Sequence, residues 1–129
     1  MRRCHLLAIL ALALPSTASP ARAAGLAWAR TSVEVTARPG QRVVDFEFPF
    51  QNNGEKPVTL VSIEASCRCL AVNGTRKTYG PGEKGVVGAA FAVGEKPGVR
   101  EESITVKTDE PDAKPVELLL RVNVPGAHP

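Results

Sequence analysis

The segment Val44-Asp45-Phe46-Glu47-Phe48-Pro49-Phe50-Gln51 places an apolar residue at every second position, with acids, proline or glutamine between them. Only an extended chain sends alternate side chains to opposite faces. The spacing therefore predicts a strand that buries Val44, Phe46, Phe48 and Phe50 and wets its other face. Three of the 4 phenylalanines in the chain lie here, which marks this as the central core strand. Pro49 falls on the outward phase and has no N–H to donate, so it predicts a bulge or an edge at that point.

The same alternation recurs along the chain. Val58–Cys67 reads as the next strand, with Val61, Ile63, Ala65 and Cys67 in one phase and Val58 and Leu60 in the other. Cys69–Val72 is a short extension, and Val86–Val93, Ser103–Thr108 and Val116–Val124 are further strands. Ala27–Thr36 supplies a first, edge strand carrying Trp28, Val33 and Val35. Gly88, Ala89 and Ala90 predict close approach of a neighbouring backbone. Turns are expected at Asn52–Pro57, in an Asn73–Lys84 loop punctuated by Pro81-Gly82, at Glu95–Gly98 and at Asp109–Lys114. No segment has helical period. About seven short strands with turn signals every 8–12 residues predict an all-β fold, an immunoglobulin-like β-sandwich.

Ahead of this domain, Met1–Ala23 has the layout of a secretory signal peptide. Arg2 and Arg3 open it, Leu6–Leu14 is an unbroken apolar run, and Ala21-Arg22-Ala23 is a small-x-small pattern that predicts cleavage between Ala23 and Ala24. The apolar run is too short for a stable membrane span. The expected mature chain, residues 24–129, is one exported domain, periplasmic or extracellular. Its charge bears on partners. The chain carries 16 Lys and Arg against 13 Asp and Glu, and three of the basic residues (Arg2, Arg3 and Arg22) sit in the leader, so the mature part is balanced. That balance argues against a nucleic-acid partner.

Cleavage would also remove Cys4, leaving Cys67 and Cys69 as an even pair in an oxidising compartment. On a straight strand their Cα atoms would sit about 6.6 Å apart, near the upper limit for a disulfide, so a bond between them requires a bend. Three readings stay open for the pair: a structural pair, as buried thiols or a local staple; a soft-metal site suited to Cu(I); and a redox-active disulfide. Zinc wants four ligands, and the sequence offers no others near the two cysteines. No other cofactor is expected. His5 lies in the leader and His128 in the C-terminal tail, so the domain has no histidine to serve as a general base, and an enzyme is not expected. Asp109, Glu110 and Asp112 read as a solvated turn rather than a cation site. Asn73-Gly74-Thr75 matches a glycosylation sequon, and the Gly80, Gly82 and Gly85 spacing is not a phosphate loop. Trp28 is expected to anchor the core or an edge.

Three spaced segments carry a family resemblance: Phe48-Pro49-Phe50-Gln51-Asn52-Asn53-Gly54-Glu55-Lys56-Pro57, Ser66-Cys67-Arg68-Cys69, and Tyr79-Gly80-Pro81-Gly82-Glu83. With Thr108-Asp109-Glu110-Pro111 they resemble the exported bacterial domain-of-unknown-function family numbered fifteen-seventy-three, related to the ASH and PapD-like branch of immunoglobulin folds. Arg68 stands where that family has glycine, and Leu70 where it has threonine. The resemblance covers Ala27–Val124 and implies export and an immunoglobulin-like fold without an assigned activity. The expected function is a non-enzymatic module that binds another protein or a cell-surface component through a strand edge or loops. The rival expectation is a copper-binding or thiol-redox protein using Cys67 and Cys69.

Overall fold

The computed structural model describes residues 25–73 and 77–126. The leader, the Ala23–Ala24 cleavage point, His128, and Gly74 and Thr75 of the sequon lie outside the described residues. The described chain forms nine strands: β1 (Leu26–Trp28), β2 (Ser32–Thr36), β3 (Val43–Asn52), β4 (Val58–Ala65), β5 (Leu70–Asn73), β6 (Thr78–Tyr79), β7 (Lys84–Ala92), β8 (Gly98–Thr108) and β9 (Val116–Val124). They build two facing sheets, one in the order β1-β3-β7-β5 and the other β2-β9-β8-β4-β6. The expected all-β, immunoglobulin-like sandwich is the observed architecture.

Alternation explains the core. In β3 the buried side chains are Val44, Phe46, Phe48, Phe50 and Asn52, with exposed or half-buried residues between them. In β9 they are Leu118, Leu120, Val122 and Val124, and β8 adds Ile104 and Val106. β7 contributes Val87, Ala89 and Phe91. Burying each large apolar side chain of this kind stabilises the fold by about 1.5–3 kcal/mol, and the two inner faces together make a single cluster. The β3–β7 register runs unbroken from Val43↔Ala92 to Gln51↔Lys84, so Pro49 causes no bulge. Its carbonyl accepts the Ala29 N–H at 2.9 Å, just where the β1 ladder ends. Residues on that side of β3 have no further strand to donate to, and proline is tolerated there as an edge residue.

Parity accounts for two departures from the expected strands. A single strand over Ala27–Thr36 cannot bury both Trp28 and Val33, because their positions differ by five, an odd number. The chain breaks at Ala29–Thr31 instead. β1 pairs antiparallel with β3, whereas β2 crosses to the other sheet and runs parallel to β9. Leu60 and Ile63 pose the same conflict within β4. A register shift between Leu60 and Ser62 leaves Val61 as the extra residue of a β-bulge, 41% exposed rather than inward.

Three smaller differences follow from tertiary packing. The Asn73–Lys84 loop contains β6, which pairs with Val58 and Thr59 and carries Tyr79 into the core. β8 starts at Gly98, five residues before the expected Ser103. The tight approach is at Gly85, not at Gly88: a Cβ on Gly85 would collide with the rings of Phe50 and Tyr79.

Candidate functional site

The longest of the motif segments turns out to be a clasp. Asn52, fully buried, donates from Nδ2 to the carbonyls of Lys56 and Tyr79, both at 2.8 Å, and its Oδ1 accepts the Gly54 N–H at 3.0 Å. Its backbone N–H reaches the Glu83 carbonyl at 2.9 Å, and its carbonyl accepts the Gly82 N–H at 2.7 Å. Asn52 thus ties together the β3–β4 turn, β6 and the Pro81-Gly82 turn, where Gly82 has the positive φ of 79° that such a turn needs. Around it, Phe50 packs 4.9 Å from Trp28 and 4.7 Å from Tyr79, ring centre to ring centre. Trp28 is the expected anchor, although its Nε1 is buried with no hydrogen-bond partner among the described residues. With its amide fully engaged, the clasp offers nothing to a ligand.

At the opposite end of β4 the chain crosses between the sheets through Ser66–Cys69. β4 ends at Ala65, so the cysteines lie on a bend and turn rather than on a strand. Their Cα atoms are 5.3 Å apart and a disulfide joins them. The requirement for a bend is met. Cys67 and Cys69 are half-buried, and while bonded to each other they offer no thiolate to copper or any other metal. The corner is docked on β8: Ser66 N–H donates to the Ser103 carbonyl at 2.9 Å, and Ser103 N–H donates to Ser66 Oγ at 2.9 Å. Ser66 Oγ in turn donates to Glu102 Oε2 at 2.5 Å.

Glu102 is the functional candidate that sequence reasoning missed. Its carboxylate and the two sulfurs lie within 4.8 Å of one another, the only such set of three ligating side chains among the described residues. A signal was present. Glu102 shares the inward phase of β8 with Ile104 and Val106, and an acid on an inward phase asks for a partner.

The remaining candidates do not assemble. Asp109 Oδ1 accepts the Thr59 N–H at 2.9 Å, Glu110 Oε2 accepts the Thr108 hydroxyl at 3.3 Å, and Asp112 turns the chain at a φ of 59°. The Asp109 and Glu110 carboxylates are spent on holding the β8–β9 turn, and the three acids form no converging cation site among the described residues. They line an open cleft with Gly54 and Lys56, away from the cysteines.

A strand edge is open along the whole of β2. β2, of five residues, ends the second sheet. Leu119 N–H donates to the Thr31 carbonyl at 2.8 Å, and Ala37 N–H to the Asn123 carbonyl at 2.9 Å. Since backbone groups alternate sides along a strand, Val33 and Val35 also face β9, while Ser32, Glu34 and Thr36 turn their N–H and C=O groups outward. No described residue covers them. The other terminal strands are shorter, with three residues in β1, four in β5 and two in β6, and the open stretch of β3 beyond β1 has its Val43 and Glu47 carbonyls taken by the Gln41 and Arg30 side chains.

Two facing sheets in this order, with the chain switching sheets between β1 and β2 and again at the corner between β4 and β5, make an immunoglobulin-like β-sandwich. The structure is similar to the ASH/PapD-like domain 7 of human CEP192, with a TM-score of 0.65 at 14% identity, over 96% of this chain and 100% of that one. It is also similar to the periplasmic chaperone SfaE, with a TM-score of 0.60 at 18% identity, over 79% of this chain and 59% of that one. A protein of unknown function from Porphyromonas gingivalis W83 matches with a TM-score of 0.64 at 16% identity, over 81% of this chain and 50% of that one. The chain spans half or less of the first solved structures it resembles. Among these is the secreted serine protease VesC from Vibrio cholerae, of which it covers 24%. No curated protein matches. The family description "Protein of unknown function (DUF1573)" matches residues 26–124, and the chain belongs to that family.

Proposed function

We propose that this protein is an exported, non-enzymatic immunoglobulin-like module that binds another protein, or a protein component of the cell surface, by accepting an extended segment along β2. The observation that carries this reading is the outward-facing row of N–H and C=O groups at Ser32, Glu34 and Thr36. An added strand draws affinity from main-chain hydrogen bonds and specificity from alternate side chains. Glu34, which pairs with Arg121 at 4.0 Å, places a carboxylate at the middle of the edge and disfavours pairing of two copies about that point. The likeness to ASH and PapD-like domains supports protein binding as the general role. The leader Met1–Ala23 supports export, and the absence of histidine among the described residues supports a role outside acid–base catalysis.

The test is a proline placed where no internal bond is lost. Glu34→Pro removes an outward N–H and leaves the β2–β9 ladder intact. Displayed peptide libraries panned against the mature chain are expected to yield binders that bind Glu34→Gln normally and lose Glu34→Pro. Equal binding by both variants would move the interaction away from this edge. N-terminal sequencing of the fractionated protein checks export, with Ala24 as the expected first residue.

A further inference from the structure

We infer that Cys67, Cys69 and Glu102 form a redox-gated site for a borderline divalent cation of the zinc type, closed while the disulfide is intact and opened by reduction. Cys67 and Cys69 come from the sheet-crossing corner and Glu102 from the inward phase of β8, so only the fold brings the three together. Their ligating atoms lie within 4.8 Å of one another. Two thiolates on one tetrahedral zinc sit about 3.8 Å apart, given Zn–S bonds of about 2.3 Å, so side-chain rotations at a corner already bent to a Cα separation of 5.3 Å suffice. The corner therefore needs no rebuilding.

Two further features of Glu102 point to a cation. It is half-buried with no ion-pair partner among the described residues, although Arg100 lies two positions before it in the chain. Its one hydrogen bond comes from Ser66 Oγ, itself held by the Ser103 N–H, and this arrangement orients a ligating carboxylate from behind. The donor set also selects the metal. Two thiolates alone suit Cu(I), whereas adding a carboxylate shifts preference to a borderline divalent ion, with a fourth position left for water or an added ligand.

The chemistry balances with a dithiol as reductant. The dithiol is oxidised to its disulfide, and the Cys67–Cys69 bond takes up two electrons and two protons to give two thiols. The cation then displaces both protons and bonds to the two thiolates and to Glu102. In an oxidising compartment the disulfide form predominates, and metal uptake reports exposure to a thiol donor. Glu102 shares a sheet with β2, with β9 between them, and none of the three ligands lies on the β2 edge, so cation binding is read separately from strand addition.

Titration of the mature chain with Co²⁺, followed by displacement with Zn²⁺, tests the assignment. The reduced protein is expected to bind one Co²⁺ with a thiolate-to-cobalt charge-transfer band, and the disulfide form none. Glu102→Gln, which keeps an acceptor for Ser66, is expected to retain the band and bind at least about tenfold more weakly. Cys67→Ser and Cys69→Ser should each lose the band, with circular dichroism confirming that they fold. Equal binding by the oxidised protein, no binding by the reduced one, or affinity unchanged in Glu102→Gln would overturn the three-ligand site. So would a Cu(I) complex formed without any Co²⁺ binding.

Discussion

The two ends of β4 carry the two most distinctive segments of the chain, and a polar side chain holds each of them. Asn52 sits at one end, fully buried, with both amide donors and its acceptor used inside the protein. Ser66 sits at the other end, exposed, and passes its hydrogen bond to a carboxylate beside two sulfurs. The first arrangement is saturated and rigid, and each of its residues has a structural reason to be there. The second leaves reactive atoms half-exposed with coordination capacity to spare. A motif of residues can therefore mark a clasp as readily as a site, and the difference is whether its polar atoms are already satisfied.

This contrast can be broken by unfolding measurements in urea. Asn52→Ala strands the Lys56 and Tyr79 carbonyls and the Gly54 N–H, and is expected to cost about 3–5 kcal/mol, the largest effect of the set. Gly85→Ala forces a methyl group against the Phe50 and Tyr79 rings beside the same clasp, for about 1–3 kcal/mol. At the other end, Cys67→Ser/Cys69→Ser together remove a bond that closes only a tiny loop, so the loss is about 1–2 kcal/mol. Ser66→Ala is the mildest, at about 0.5–1.5 kcal/mol, because its hydrogen bonds are open to water. A cysteine double variant as unstable as Asn52→Ala would make the corner a second clasp. A mild Asn52→Ala would remove the distinction from the other side.

Much of the fold was legible because a strand declares itself locally. The alternation in β3 names Val44, Phe46, Phe48 and Phe50, all of them buried, and that in β9 names Val116, Leu118, Leu120, Val122 and Val124, of which only Val116 stays half-buried; the buried Asn52 lay beyond the β3 pattern. Even the two misread strands left a trace, since Trp28 against Val33 and Leu60 against Ile63 violate a period of two. The violation shows that something must break, and not whether the break is a sheet switch or a bulge. The Cys67–Cys69 pair was legible as a candidate, as was the bend it needs. Glu102 was not, because its approach to the cysteines depends on the β4–β8 register, a pairing between residues some 40 positions apart in the chain.

The sequence by itself determined an all-β chain, the inward faces of β3 and β9, the turn at Pro81-Gly82 and the family to which the segments are similar. Each of these follows from residues within a few positions of one another. The tertiary structure decided which strand became the free edge, that β1 and β2 belong to different sheets, that Asn52 is a buried clasp, and that a glutamate stands beside the disulfide. Those outcomes rest on contacts between distant segments, whose free energy depends on how both faces are filled at once.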